Sequence, residues 1–126
     1  MARHTRRIGS ICTDALALAA TGVLRGLQAT TRWLALDVLK QFGAIPTEER
    51  VVRQEKVFTA AGVSSGINMA LTLVAEEFGA EAAQLNQLLI EYDPPPAFDA
   101  GSPEKTPAKI VTAAREGFAK LQTTAQ

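Results

Sequence analysis

Between Ile8 and Leu24 the chain reads IGSICTDALALAATGVL, a short β-like run followed by an apolar stretch that only Asp14 interrupts with charge. A helix over 14–24 has no polar face, so it needs cover nearly all round, and a sheet supplies it. That places the chain in the α/β class. With 126 residues, 47% of them hydrophobic, there is material for one domain with a core and no case for a disordered chain.

The remaining elements follow from periodicity and punctuation. Residues 1–6 are a loose basic start, 7–12 a short buried strand, and Gly26 closes the 14–24 helix. A second strand is expected over 27–31. A helix follows over 32–42, with Trp33, Leu36 and Leu39 near helical spacing and Gly43 as its stop. Residues 49–61 read as a hairpin or strand pair around Gln54 and Glu55. The clearest helix starts at Ser64, whose hydroxyl suits an N-cap; Ile67, Leu71, Val74 and Phe78 share one face, and Gly79 ends it. Another helix covers 80–90. The proline-rich 92–107 reads as a surface loop. A final helix over 107–121 has Pro107 at its first position and Ile110, Ala114, Phe118 and Leu121 on its inner face. Strands alternating with helices favour a parallel sheet, with Ile8–Cys12 as a central strand.

Charge and rare residues narrow the function. Lys+Arg and Asp+Glu are 13 each, so nothing in the electrostatics calls for nucleic acid or an anionic membrane. A single cysteine forbids an intrachain disulfide or a Cys-rich zinc site, and a single histidine, His4, cannot build a His-based metal cluster. No metal or cofactor is expected. No apolar run reaches the ~20 residues of a membrane span. MARHTRR followed by ALALAATGVL imitates a secretory signal, but Asp14 interrupts the apolar run and no clear cleavage site follows. The expected compartment is the reducing cytoplasm.

Cys12 has two readings. It can be a small buried hydrophobe, the usual fate of a lone cysteine. Alternatively, it is a nucleophile on a sharp strand-to-helix turn. There the positive end of the helix dipole favours an anionic sulfur, and free N–H groups of the first turn can hold an oxyanion. Spacing alone leaves both open.

Three blocks carry a resemblance. SICTDALALAATGVLRGLQATTRW looks like the cysteine elbow of the ThiJ/PfpI superfamily (class I glutamine amidotransferase-like), whose usual form is S-x-C-T-G, an apolar helix and A-T-T-H-W. VFTAAGVSSGINMALTLVAEEFG resembles its T-A-A-G-V-x-x-G-I-D-M-A-L stretch. IEYDPPPAFDAGSPEK is similar to the tail of the isonitrile hydratase-like branch. The resemblance covers residues 8 to about 108, in family order. It implies a flavodoxin-like parallel-sheet sandwich, N-terminally truncated, with the chain forming the C-terminal portion of one domain. It implies Cys12 as nucleophile and Thr13 as the residue whose backbone N–H supports the oxyanion. Asp14, Arg32, Gly62, Val63 and Ser64 would belong to the substrate pocket. The reaction implied is hydration of a small isonitrile to an N-substituted formamide.

The chain also departs from the family pattern. The elbow usually lies mid-domain, so the first strands, and the catalytic acid that follows the first of them, have no counterpart here. Asp14 replaces a glycine, Arg32 the histidine of T-T-H-W, and Asn68 the aspartate of G-I-D. Asp14 suits a first helical turn but opposes an anionic sulfur. Arg32 adds charge but cannot shuttle a proton near neutral pH. Asn68 keeps shape and loses charge. The expectation is a truncated hydratase-like protein acting on a small molecule, with a homodimer possible. The alternatives are an inactive fragment or interaction remnant and, third, a sensor-domain fragment of an AraC-type regulator. Missing strands would leave the isolated chain dimeric, aggregation-prone or poorly folded.

Overall fold

The computed structural model describes residues 6–125, with side chains to Leu121; His4 and nearly all of the expected loose start lie outside that range. The chain forms two compact units, residues 1–93 and 94–126. The first holds β1 (Ile8–Ile11), α1 (Asp14–Ala20), β2 (Gln28–Ala29), a 3₁₀ turn (Trp33–Ala35), α2 (Leu36–Gln41), β3 (Ile45–Pro46), β4 (Val51–Gln54), β5 (Val57–Ala60), α3 (Ser65–Phe78) and α4 (Ala80–Leu89). The second holds α5 (Ala108–Ala125), preceded by turns and bends through the proline-rich segment.

The class is α/β, but the sheets are small and one is mixed. β1, β5 and β4 pair in that order, β1 parallel to β5 and β4 antiparallel to it; β2 and β3 form a separate parallel pair. Two expectations are thereby corrected. The sheet is not purely parallel, because Glu55 and Lys56 alone link Gln54 to its register partner Val57. So short a link can only turn the chain straight back. Nor is β1 central among the described strands; β5 is, and all its residues are buried.

Helix α1 stops earlier than its apolar run suggests. Gly22 takes φ +86°, and the Thr21 hydroxyl turns back onto the Leu18 carbonyl at 2.6 Å. The helix is covered on one face only. Ala15 and Ala19 are buried with Leu24, Ala29, Leu39, Ala44 and Val57, whereas Ala17 and Ala20 are exposed. The second strand is likewise shorter than 27–31, because Thr30 and Thr31 leave it for side-chain bonds. Gly43, at φ +84°, ends α2 as expected.

The inward face of α3 is also corrected. Ser65, Gly66 and Met69 are buried, while Ile67 and Phe78 are 40% and 77% exposed. The cause is a close approach: a Cβ on Gly66 would lie 2.8 Å from Ile11 Cδ1. The helix therefore turns its glycine toward β1. Met69 then packs with Phe58 and Ala60, flanked by Ile11, Val51 and Leu73. Ser64 stands at the cap position without a capping bond, and its Oγ accepts from Arg50 Nη2 at 3.2 Å instead. Helix α4 buries no residue, leaving Leu85, Leu88 and Leu89 exposed. In the second unit the expected inner face of α5 is not buried: Ile110 and Leu121 are exposed, and Ala114 and Phe118 half-buried. No helix among the described residues is long and apolar enough to cross a membrane.

Two variants test this division between core and surface. Leu39→Ala, at a site with 0% exposure, should cost about 2–5 kcal/mol in urea denaturation. The double variant Phe78→Ser, Leu88→Ser, at sites 77% and 73% exposed, should change stability by no more than about 0.5 kcal/mol in the same measurement.

Candidate functional site

The elbow is built from the end of a parallel strand pair. β1 and β5 run in register from Ile8↔Val57 to Ile11↔Ala60, and the Cys12 N–H donates to the Ala60 carbonyl at 3.0 Å. Cys12 then takes φ +61°, a left-handed conformation that costs an L-residue about 1–2 kcal/mol. The next residue, Thr13, is already helical in backbone conformation and stands at the N-cap position of α1 without a side-chain capping bond. The chain thus swings from strand to helix at the cysteine. Cys12 is half-buried, so it is not sealed inside either core cluster.

Parallel pairing decides what stands beside it. Both strands end at the same edge of the sheet, so the turn after β1 and the turn after β5 emerge side by side. Such carboxyl ends are where α/β folds place ligands. The second turn carries Gly62, Val63 and Ser64; Ser65 N–H bonds the Gly62 carbonyl at 3.0 Å and Gly66 N–H the Val63 carbonyl at 3.2 Å. Val63 is 82% exposed. Asp14 opens α1 as an exposed first-turn acid. Arg32, half-buried, follows Thr31, whose hydroxyl donates to the Cys12 carbonyl at 2.5 Å. The fold therefore gathers Cys12, Thr13, Asp14, Arg32 and the 62–64 turn at one end of β1 and β5.

Sequence reasoning missed the polar clamp behind the cysteine. Thr30, Thr31 and Thr59 are each 1% exposed. The Thr30 N–H donates to Thr59 Oγ1 at 2.9 Å, and Thr31 Oγ1 to Cys12. The only signal was two adjacent threonines after an expected strand and a threonine inside a buried one. Asn68, which keeps the shape of the family aspartate and loses its charge, accepts from the Tyr92 hydroxyl at 2.5 Å and ties the segment after α4 to α3. Away from the elbow, Arg7 and Arg53 pair with Glu77 and Glu76. Among the described residues no group of three or more His, Cys, Asp or Glu could hold a metal ion.

Comparison with known proteins fits this geometry. Residues 1–76 match the sequence profile of the DJ-1/PfpI family. An isonitrile hydratase of Pseudomonas putida is 46% identical over 125 residues, 97% of this chain and 55% of that protein. The HTH-type transcriptional regulator GbdR of Pseudomonas aeruginosa is 30% identical over 92 residues, covering 25% of its length. A crystal structure of a ThiJ/PfpI family protein from Pseudomonas syringae superimposes with a TM-score of 0.87 at 46% identity, covering 90% of this chain and 47% of that one. Schizosaccharomyces pombe DJ-1, at 22% identity and a TM-score of 0.59, shares the fold over 71% of this chain. The chain spans about half the length of the hydratase and of the Pseudomonas syringae protein.

The threonine clamp makes a stability prediction. Thr59→Val keeps the shape and removes the acceptor for a buried N–H, which should cost about 1–3 kcal/mol by urea denaturation. Thr59→Ser should recover most of that loss.

Proposed function

Because the chain belongs to the DJ-1/PfpI family, we propose that it is the nucleophile-bearing part of an isonitrile hydratase-like domain. The observation that carries this reading is the left-handed strand-to-helix elbow at Cys12, within a chain 46% identical along 97% of its length to a hydratase. In the proposed reaction the Cys12 thiolate attacks the terminal isonitrile carbon, forming a C–S bond, and that carbon takes a proton to give a thioimidate. Water then adds across the C=N bond, its oxygen to the same carbon and one proton to the nitrogen. The second water proton returns to the donor that protonated the carbon, the C–S bond breaks to release the thiolate, and an N-substituted formamide leaves. This is nucleophilic covalent catalysis and needs no metal or cofactor. The Thr13 N–H supports the negative oxygen of the hydrated adduct. Asp14, Arg32 and the Gly62–Val63–Ser64 turn border the substrate.

The proton donor is not among the matched residues of this chain. We place it in the remaining half of a flavodoxin-like sandwich, whose strands would flank β1 and put it inside the sheet. The small-molecule substrate, a cytoplasmic setting and pairing into a homodimer belong to the same proposal. A second reading, a non-catalytic fragment, is favoured by the exposed apolar residues Phe78, Leu88 and Leu89 and by the acid at Asp14. A regulator's sensor fragment ranks third, since the similarity to GbdR covers a quarter of that protein.

The test is complementation. Loss of a general acid costs about 10²–10⁴-fold, and lost positioning adds to it. The 126-residue chain alone should therefore hydrate an isonitrile negligibly, followed by loss of the isonitrile infrared band. Mixing it with the N-terminal half of the Pseudomonas putida hydratase should restore turnover, further raised by Asp14→Gly with Arg32→His and abolished by Cys12→Ala. Turnover by the chain alone equal to that of the mixture would overturn the need for a second half. Turnover surviving Cys12→Ala would overturn the nucleophile.

A further inference from the structure

The hydrogen bond from Thr31 to the Cys12 carbonyl reaches further than that carbonyl. A peptide unit is planar and trans, so its C=O and the following N–H point in opposite directions as one rigid plate. The C=O of Cys12 and the N–H of Thr13 belong to the same plate. Thr31 Oγ1 holds one end of it at 2.5 Å, from a side chain 1% exposed. The Thr13 N–H therefore has its direction set by Thr31.

We propose that Thr31 is a positioning residue for the Thr13 N–H, aiming that donor at the oxyanion of the covalent adduct carried by Cys12. The proposal rests on the reading of Cys12 as nucleophile and adds the residue that orients the stabilising group. Three observations support it. First, the plate needs holding: Cys12 sits at φ +61°, a conformation its neighbours must impose. Second, the holding is complete from behind. The Cys12 N–H is fixed on Ala60 at 3.0 Å and its C=O on Thr31, so both backbone groups of the nucleophile are bound to other segments of the chain. Third, Thr31 is itself anchored. Its neighbour Thr30 is tied through its N–H to Thr59 Oγ1 at 2.9 Å, and Thr59 lies on β5, paired with Ser10 of β1. The strand pair that delivers Cys12 thus also fixes the residue that orients the next peptide. A bond to the carbonyl end also polarises the plate, which makes the N–H at the other end a stronger donor.

A merely structural threonine would behave differently from an orienting one, and two reagents separate them. Alkylation of Cys12 by iodoacetamide forms no oxyanion. Acylation by p-nitrophenyl acetate passes through one. In the full chain, Thr31→Val should slow acylation about tenfold or more, within the scale of losing one oxyanion donor, while alkylation changes less than about twofold. Thr31→Ser should restore acylation. Thr31→Ala serves as a second variant should valine disturb folding, which circular dichroism would reveal. Equal slowing of both reactions, or of neither, would overturn the proposal.

An independent readout is the Thr13 amide resonance in ¹⁵N–¹H spectra, which should move in Thr31→Val and return in Thr31→Ser. An unmoved Thr13 amide would also overturn the positioning role, whatever the reactivity of the sulfur. If wild-type Cys12 reacted with the ester no faster than free cysteine, the hydratase reading would fail, and the amide shift would still decide the role of Thr31.

Discussion

The pairing of β1 with β5 is the constraint on which the rest depends. Its register runs from Ile8↔Val57 to Ile11↔Ala60, and the Cys12 N–H closes it on the Ala60 carbonyl. Because side chains alternate along a strand, β5 feeds both sides of the sheet. Val57 joins the cluster under α1 and α2, and Thr59 reaches Thr30 of the segment after β2. Phe58 and Ala60 meet Met69 of α3. A one-residue slip would turn every one of these side chains to the wrong face. It would also detach Cys12 from Ala60 and move the elbow away from the 62–64 turn. Register, core and candidate site are consequently one arrangement.

The threonine clamp shows how polar groups can sit inside so small a core. An unpaired buried amide costs about 1–3 kcal/mol. Each polar group of the clamp answers another: Thr59 accepts from Thr30, and Thr31 donates to Cys12. The exposed ion pairs between the arginines and Glu76 or Glu77 contribute less, since solvent screens them. The stability of the elbow therefore lies in hydrogen bonds within the core.

What could be read from the sequence was local. The hairpin over 51–60 follows from two β-rich pieces with a polar centre, and Gly43 and Gly79 end their helices at positive φ, which glycine adopts without a Cβ clash. The cysteine at a strand-to-helix turn was visible as spacing, and the family resemblance gave it a role. What escaped was set by distant partners. Thr31 and Cys12 are 19 residues apart, and Thr30 and Thr59 are 29 apart; no periodicity encodes such pairs. The apolar spacing of Ile67, Leu71, Val74 and Phe78 correctly marks a helix but not the side that packs. That side is decided by the missing Cβ of Gly66 against Ile11. Strand order has the same origin: β1 reads as a buried central strand, and among the described strands it lies at an edge.

That edge position joins the architecture to the proposed chemistry. An edge strand leaves a row of backbone donors and acceptors for water or another strand. On β1 the Ser10 hydroxyl is buried yet finds no partner among the described residues, and the strand ends in a half-buried cysteine. A sulfur in that setting is open to water, which weakens every electrostatic contact made to a developing anion. Covering the free side of β1 would change both conditions together. It would satisfy the edge and lower the dielectric around Cys12, so that an N–H aimed from Thr13 acts with greater effect. In the proposed enzyme, completing the sheet and activating the elbow are the same physical event, and a supplied general acid would find the remainder of the site already oriented by Thr31.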